Sequence, residues 1–496
     1  MLKRCSSIFL LTLVSVYLFF GCGAVTNTNT TPTASNFPVV VFSDLHFNPF
    51  YDPTLFTNNP TLCTTADPSE WASIFQTSII TTPSIWGADT NYPLLLLALA
   101  SIKQNLGASP LILYTGDLIG HEFPQLFYQY CEGLTPTQPP SPQDVTAMQA
   151  FTDKTVAIVT AQVRASVGNL PVMFAVGNID SYTGYGPDST FLSNTAETFY
   201  TQFLTGTVDR QTFLNTFTSG GYYSAEPLGP KLMVIGLNTN VFDLGVPGDN
   251  DSAVAAELAW LDSTLASAQT AGQKVWLLMH VPPGANTVTT AANIVTGQPV
   301  SATMMMYQSY QASFLQILAK YPGVITMTLG AHTHMDEYRI LSPSVVLDEV
   351  PAITPCFGEN PAFEVLTLTQ NTLIPIDYTS LNYDLAAVPL PAQFNNYYTF
   401  SAAYSMQGPL GASLAQLYPE LANNVALTTQ APPNAQQALY KGQYLSGDNL
   451  GLNSKSVLWN PITDANWPVF ACGIGKMAQL DFEDCVNSYP QPPAPQ

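Results

Sequence analysis

The chain is poor in charge and poorer still in histidine. Only 9% of its 496 residues are charged, and 13 lysines and arginines stand against 34 acids, for a net charge of -21. With so few cations, a grip on nucleic-acid phosphates through a basic surface is excluded, and holding a polyanion would require metal ions. No C-x-x-C pair occurs among the seven cysteines, which argues against a zinc-thiolate centre. No internal repeat is evident. Histidine is limited to five residues, His46, His121, His280, His332 and His334. Each lies in or just beyond a loop that follows a short apolar strand pattern, so the chain reads as a scaffold for one metal centre.

The amino terminus predicts export. Lys3 and Arg4 precede an apolar run from Ile8 to Phe20, which has the length of a signal-peptide core and is too short for a comfortable membrane span. Gly21-Cys22-Gly23 resembles the lipobox of bacterial lipoproteins, although Phe19 and Phe20 fit that pattern poorly. Two outcomes stand: a membrane tether through lipidated Cys22, or simple secretion. Residues 1–22 are read as the signal and 23–37 as a flexible linker, since Thr26 to Asn36 is rich in Thr and Asn without apolar period. Beyond Cys5 and Cys22 five cysteines remain, Cys63, Cys131, Cys356, Cys472 and Cys485. At least one must stay free. The local pair Cys472 and Cys485 is the easiest disulfide to propose, because it would fix a terminal segment that has little core of its own.

From Pro38 onward one theme recurs: an apolar, β-branched run ends in polar residues. Pro38 to Phe42 leads to Ser43-Asp44-Leu45-His46, and Leu111 to Tyr114 to Gly116-Asp117 with His121 beyond. Pro171 to Val176 leads to Gly177-Asn178-Ile179-Asp180, Val275 to Met279 to His280, and Val324 to Leu329 to Gly330-Ala331-His332-Thr333-His334. Helical patterns over 94–106, 145–167, 253–270 and 304–320 alternate with these runs, and 189–219 reads as helical and aromatic-rich. Gly221 to Ser224 and Leu232 to Leu237 read as strands of a second sheet. Strands alternating with helices, with polar residues at strand ends, predict an α/β protein whose site lies along that edge.

Taken in order, Asp-x-His, Gly-Asp, Gly-Asn, a later His and Gly-x-His-x-His resemble the calcineurin-like metallophosphoesterases over residues 44–334. Finer features resemble the acid sphingomyelinase-like branch: His280-Val281-Pro282-Pro283-Gly284, His332 to Glu337, Ile353-Thr354-Pro355, Asn360 to Phe363, and the Cys472 and Cys485 spacing. The saposin-like domain of the lysosomal enzyme has no counterpart in the sequence. The resemblance implies a sandwich of two central β-sheets flanked by helices over 38–380. A helical subdomain is expected over 381–496, with Tyr397, Phe400, Tyr404, Leu410, Leu414 and Leu417 as anchors, packed beside the site as a lid or wall. It also implies that Asp44, His46, Asp117 and His334 hold one divalent ion and that Asp117, Asn178, His280 and His332 hold another. Mixed nitrogen and oxygen ligands suit zinc, manganese or iron better than calcium or magnesium, and zinc is expected.

The implied chemistry is hydrolysis of a small-molecule phosphodiester or phosphoanhydride. Two ions about 3.5 to 4 Å apart bind phosphoryl oxygens and align a bridging hydroxide for attack on phosphorus. The chain departs from the family at two places. Ala331 replaces a glycine, and Ile179 replaces a histidine that in the family contacts phosphate and can protonate the leaving oxygen. His121 is then the one histidine left for that task; its other reading is a hydrogen bond to a ligand carboxylate. The alternatives are a phosphomonoesterase, or a metal- and phosphate-binding protein weakened by Ile179. Trp86, Tyr182 and Tyr185 are candidates to line the cleft.

Overall fold

The computed structural model describes residues 36–64, 67–246, 250–294, 298–423, 434–447 and 462–489. The signal, Cys22 and nearly all of the linker lie outside them. Twelve strands are described: β1 Asn36–Phe42, β2 Ile112–Tyr114, β3 Val172–Phe174, β4 Tyr223–Ala225, β5 Leu232–Gly236, β6 Lys274–Leu278, β7 Ile325–Gly330, β8 Glu337–Ser342, β9 Val345–Glu349, β10 Ala362–Thr369, β11 Pro375–Asn382 and β12 Asn395–Thr399. They form two six-stranded sheets, ordered β12-β11-β10-β1-β2-β3 and β4-β5-β6-β7-β9-β8. In the first, β1, β2 and β3 are parallel and β10 to β12 antiparallel. In the second, β5, β6, β7 and β9 are parallel, with antiparallel β4 and β8 at the edges.

The parallel strands are the runs that read as continuous apolar stretches. Val39, Val40, Val41 and Phe42 are fully buried, as are Ile112, Leu113 and the core of β6, because helices cover one face of each sheet and the other sheet covers the opposite face. The connecting helices begin where side chains satisfy free backbone N–H groups. Asn91 accepts from the Leu94 N–H at 3.0 Å ahead of Tyr92–Asn105, and Ser141 with Asp144 forms a reciprocal cap on Pro142–Val167. The aromatic stretch 189–219 folds as two helices, Ser189–Phe199 and Arg210–Gly220. Phe199, Phe213 and Phe217 stack around Phe174 of β3. The sheets approach closely at β3 and β5, where a Cβ on Gly236 would lie 2.3 Å from the Phe174 carbonyl oxygen.

Three expectations need correction. The helix expected over 304–320 begins only at Gln308, because Met304 and Met306 pair in extended conformation with Ala285 and Asp243. The edge strand expected over 221–224 runs from Tyr223 to Ala225, since Gly221 serves as the left-handed cap of the preceding helix. Tyr397, expected on a helix, sits on β12, whose pairing with β11 carries the sheet beyond residue 380. Helices follow: Phe400–Tyr404, Leu410–Leu421, Ala435–Gln443, Trp467–Gly475 and Gln479–Ser488, with Leu410, Leu414 and Leu417 on one buried face. Disulfides join Cys63 to Cys131 and Cys472 to Cys485, and Cys356 is free and buried. Among the described residues no helix is long and apolar enough to cross a membrane.

Candidate metal centre

All seven residues expected as ligands come together beyond the carboxyl ends of β1, β2, β3, β6 and β7. Backbone bonds lace their loops to one another: Asp44 N–H to Gly116 O at 3.0 Å, His46 N–H to Asp117 O at 3.0 Å, and Ala331 N–H to His280 O at 3.0 Å. The turns are tight. Asp44, His46, Asp117, His332 and His334 all have positive φ, between 41° and 73°. Side chains with a Cβ avoid that region, and strain of this kind persists where the surrounding structure fixes it, commonly at functional sites. Two glycines make the approach possible. A Cβ on Gly116 would fall 2.7 Å from His280 Nδ1, and one on Gly177 would fall 1.9 Å from Asp117 Oδ1.

Within the cluster two groups of ligand atoms form around one carboxylate. His46 Nε2 lies 3.3 Å from His334 Nε2, 3.7 Å from Asp44 Oδ1 and 3.3 Å from Asp117 Oδ2, and His334 Nε2 is 3.4 Å from Asp44 Oδ1. On the other side, His280 Nε2 is 3.2 Å from the same Asp117 Oδ2 and 2.7 Å from Asn178 Oδ1, which His332 Nδ1 also approaches at 2.7 Å. Asp117 Oδ2 thus stands between both groups. Donor atoms held about 2.1 Å from a tetrahedral ion are roughly 3.4 Å apart, close to the spacings of the first group.

The protonation pattern explains why these spacings fit a cation. His46 Nδ1 faces the Ile119 carbonyl at 3.1 Å, His280 Nδ1 the Thr115 carbonyl at 2.8 Å, and His334 Nδ1 the Glu359 carboxylate at 3.1 Å. Each of those acceptors can receive a hydrogen bond from Nδ1–H, which in the neutral ring leaves Nε2 as a lone pair aimed into the cluster. Both Asp44 oxygens are buried and accept no hydrogen bond. With the rings neutral, lone pairs converge on one place, which is the arrangement a metal ion satisfies. The same demand for positive charge acts on His280: burial opposes its protonation, yet Asp117 raises it to about 9. Burial, then the neighbouring His280, lowers His332 to about 3 and keeps it neutral.

Several site residues carried no signal that named their role. The Asp180 carboxylate accepts from the N–H groups of Asp117 at 3.1 Å, Leu118 at 2.7 Å and Gly177 at 3.0 Å, so it ties the second loop to the third. Burial and the nearby Asp117 push it up to about 6. Arg339, buried on β8, donates to Glu349 and to the carbonyls of Pro283 at 2.9 Å and Ala285 at 3.1 Å, pinning the loop after His280. Asp89 accepts from both His121 Nδ1 at 2.8 Å and the His121 backbone N–H at 2.7 Å. His121 stacks on His46 with ring centres 4.0 Å apart and bonds to Asp89, so its carboxylate partner is none of the expected ligands.

Beside the cluster lies a cleft of about 800 Å³, reached by Asp117, His121, Asn178, Ile179, Tyr185 and Phe357 among others. Ile179, largely buried, lines this space while its N–H donates to Asp117 Oδ1 at 2.8 Å. Of the three aromatics expected there, Tyr185 lines the cleft. Tyr182 is buried and bonded to Asp153 and Asn194, and neither it nor Trp86 reaches the cleft wall.

No protein-family model matches the chain. It is 26% identical over 279 residues to a human cyclic GMP-AMP phosphodiesterase, covering 54% of this chain and 53% of that protein. It is also 26% identical over 310 residues to human sphingomyelin phosphodiesterase, covering 58% of this chain and 41% of that protein. The chain thus spans about half the length of these relatives. A dimetal phosphatase from Danio rerio aligns over 70% of this chain and 95% of its own, at 12% identity and a TM-score of 0.36, a likeness too loose to argue from. Ordered motifs gathered by one two-sheet fold, together with these relatives, make the chain similar to the calcineurin-like metallophosphoesterases and, among them, to the acid sphingomyelinase-like phosphodiesterases.

Proposed function

We propose that the protein is an exported hydrolase that uses two divalent ions, with zinc first among the candidates, to cleave small-molecule phosphodiesters. Asp44, His46, Asp117 and His334 would hold one ion, and Asp117, Asn178, His280 and His332 the other. The observation that carries this reading is the convergence of the His46 and His334 Nε2 atoms on the buried Asp44 carboxylate, whose oxygens accept no hydrogen bond. Two bound ions would supply Lewis acidity at the phosphoryl oxygens and lower the pKa of water. Export is supported by the amino-terminal pattern and by two disulfides, which persist in oxidising compartments.

The chain's own residues do the rest. In the reaction a water oxygen bonds to phosphorus, the P–O bond to the leaving group breaks, and one proton passes to the leaving oxygen. Asp89 holds His121 by Nδ1, so that in the imidazolium, which takes up its second proton from solvent, Nε2–H is the group free to give that proton, on a side chain 31% exposed at the cleft. Ile179 can supply none. Charge narrows the substrate further: among the described residues no lysine or arginine lines the cleft, so a diester with one negative charge matches it better than a polyphosphate chain. The test is hydrolysis of bis-p-nitrophenyl phosphate against p-nitrophenyl phosphate after chelation and return of zinc or manganese. The reading expects metal-dependent turnover with the diester preferred. Preference for the monoester would establish a phosphomonoesterase, and turnover of neither would leave a binding protein.

A further inference from the structure

A second hollow opens on the far side of His332. Its volume is about 310 Å³, and it meets the main cleft only at His332 and Phe357. That size falls at the lower end of pockets that hold small molecules. Val288, Met305, Met335 and Phe357 give it apolar walls, and its remaining lining is of amide and hydroxyl groups and the His332 imidazole. Among the described residues no carboxylate, lysine or arginine lines it. The wall bearing Val288 is the helix Thr287–Ala292, and it is firmly backed. A Cβ on Gly473 of the carboxyl-terminal helix Trp467–Gly475 would lie 2.5 Å from Thr287 Cγ2, and Thr287 Oγ1 is 3.3 Å from the Tyr444 hydroxyl. This pocket is therefore built by packing between the sheet core and the carboxyl-terminal helices.

We propose that this pocket seats the substituent that stays on phosphorus, and that it selects an uncharged, flat or apolar group of about the size of one or two rings. This rests on the diesterase reading above. A phosphodiester carries two arms. A phosphoryl group held at Asn178 and His332 would sit at the junction of the two hollows. The arm that leaves must be within reach of His121, which lines only the main cleft, so the other arm points into the pocket. A carboxylate or a second phosphate there would be stripped of water with no lysine or arginine to offset its charge, and the pocket rejects it.

The test holds the leaving group constant and varies the retained arm. Zinc-loaded protein is assayed with methyl, phenyl, naphthyl and carboxyphenyl p-nitrophenyl phosphates. Phenyl should exceed methyl in kcat/KM by at least about tenfold, from burial of the ring, and carboxyphenyl should lose that advantage. Val288→Trp, which fills the pocket, should bring the phenyl-to-methyl ratio close to one. Val288→Ala, a milder change, should raise naphthyl relative to phenyl. A wild-type ratio near one, or a ratio that neither variant shifts, overturns the pocket assignment while leaving the diesterase reading in place. Absence of metal-dependent nitrophenolate release from every diester overturns the diesterase reading itself.

Discussion

Ile179 faces the cleft where the family carries a histidine, and its consequence depends on the leaving group. A positioned general acid contributes about 10²- to 10⁴-fold, and it matters most when the leaving oxygen needs a proton as the bond breaks. Aryl oxygens depart as stable anions and alkoxides do not. We therefore predict brisk turnover of aryl diesters and poor turnover of alkyl ones. His121→Ala should cost alkyl esters far more than aryl esters, while Ile179→His should recover part of the alkyl rate. Equal losses on both ester types in His121→Ala would assign His121 a structural task only. Asp89 acts through His121, so Asp89→Asn should repeat the alkyl-selective loss in weaker form, because an amide oxygen can still accept from Nδ1. A loss equal on both ester types would contradict that.

The elements that carry the site were legible because their physics is local. Buried parallel strands need continuous β-branched or aliphatic runs, and Val39 to Phe42 or Val275 to Leu278 can do little else. The polar residues after them are conspicuous because nothing else there is polar. What stayed hidden depends on contacts between distant segments. Asp89 gains meaning only when its loop meets His121, Arg339 only when β8 passes the loop after His280, and Tyr397 only when β11 offers an edge for β12 to pair with. The Cys63–Cys131 pairing is of the same kind, whereas Cys472 and Cys485 are neighbours in sequence. Chain entropy assigns about 3 kcal/mol to the shorter loop, of 13 residues, and about 4 to the longer, of 68. Removing Cys472–Cys485 should loosen the helices that back the Val288 wall, so proteolysis of the double serine variant should begin in the carboxyl-terminal helices. Unchanged digestion would show that packing alone holds them.

At the scale of the whole molecule, an acidic chain also buries acids away from the site. Glu257 on the helix Asp251–Ala271 accepts one hydrogen bond, from the Asn238 N–H at 2.8 Å, and burial raises it from 4.5 to about 8. A carboxyl held neutral in the fold and free to ionise in the unfolded chain contributes stability that is complete below pH 4.5 and lost as pH rises through about 8. Glu257→Gln should remove that slope and raise Tm at pH 8 by about 2 °C or more. A Tm difference that does not change between pH 5 and pH 8 would rule out Glu257 as the source.

The central claim is that one carboxylate joins two ion sites, and metal content measures it most directly. Elemental analysis of purified, zinc-supplemented protein should find two ions per chain. Asp117→Asn should lose metal from both positions, whereas His46→Ala should weaken chiefly one. Two full equivalents retained in Asp117→Asn, or no bound metal in the wild-type protein, would contradict the account.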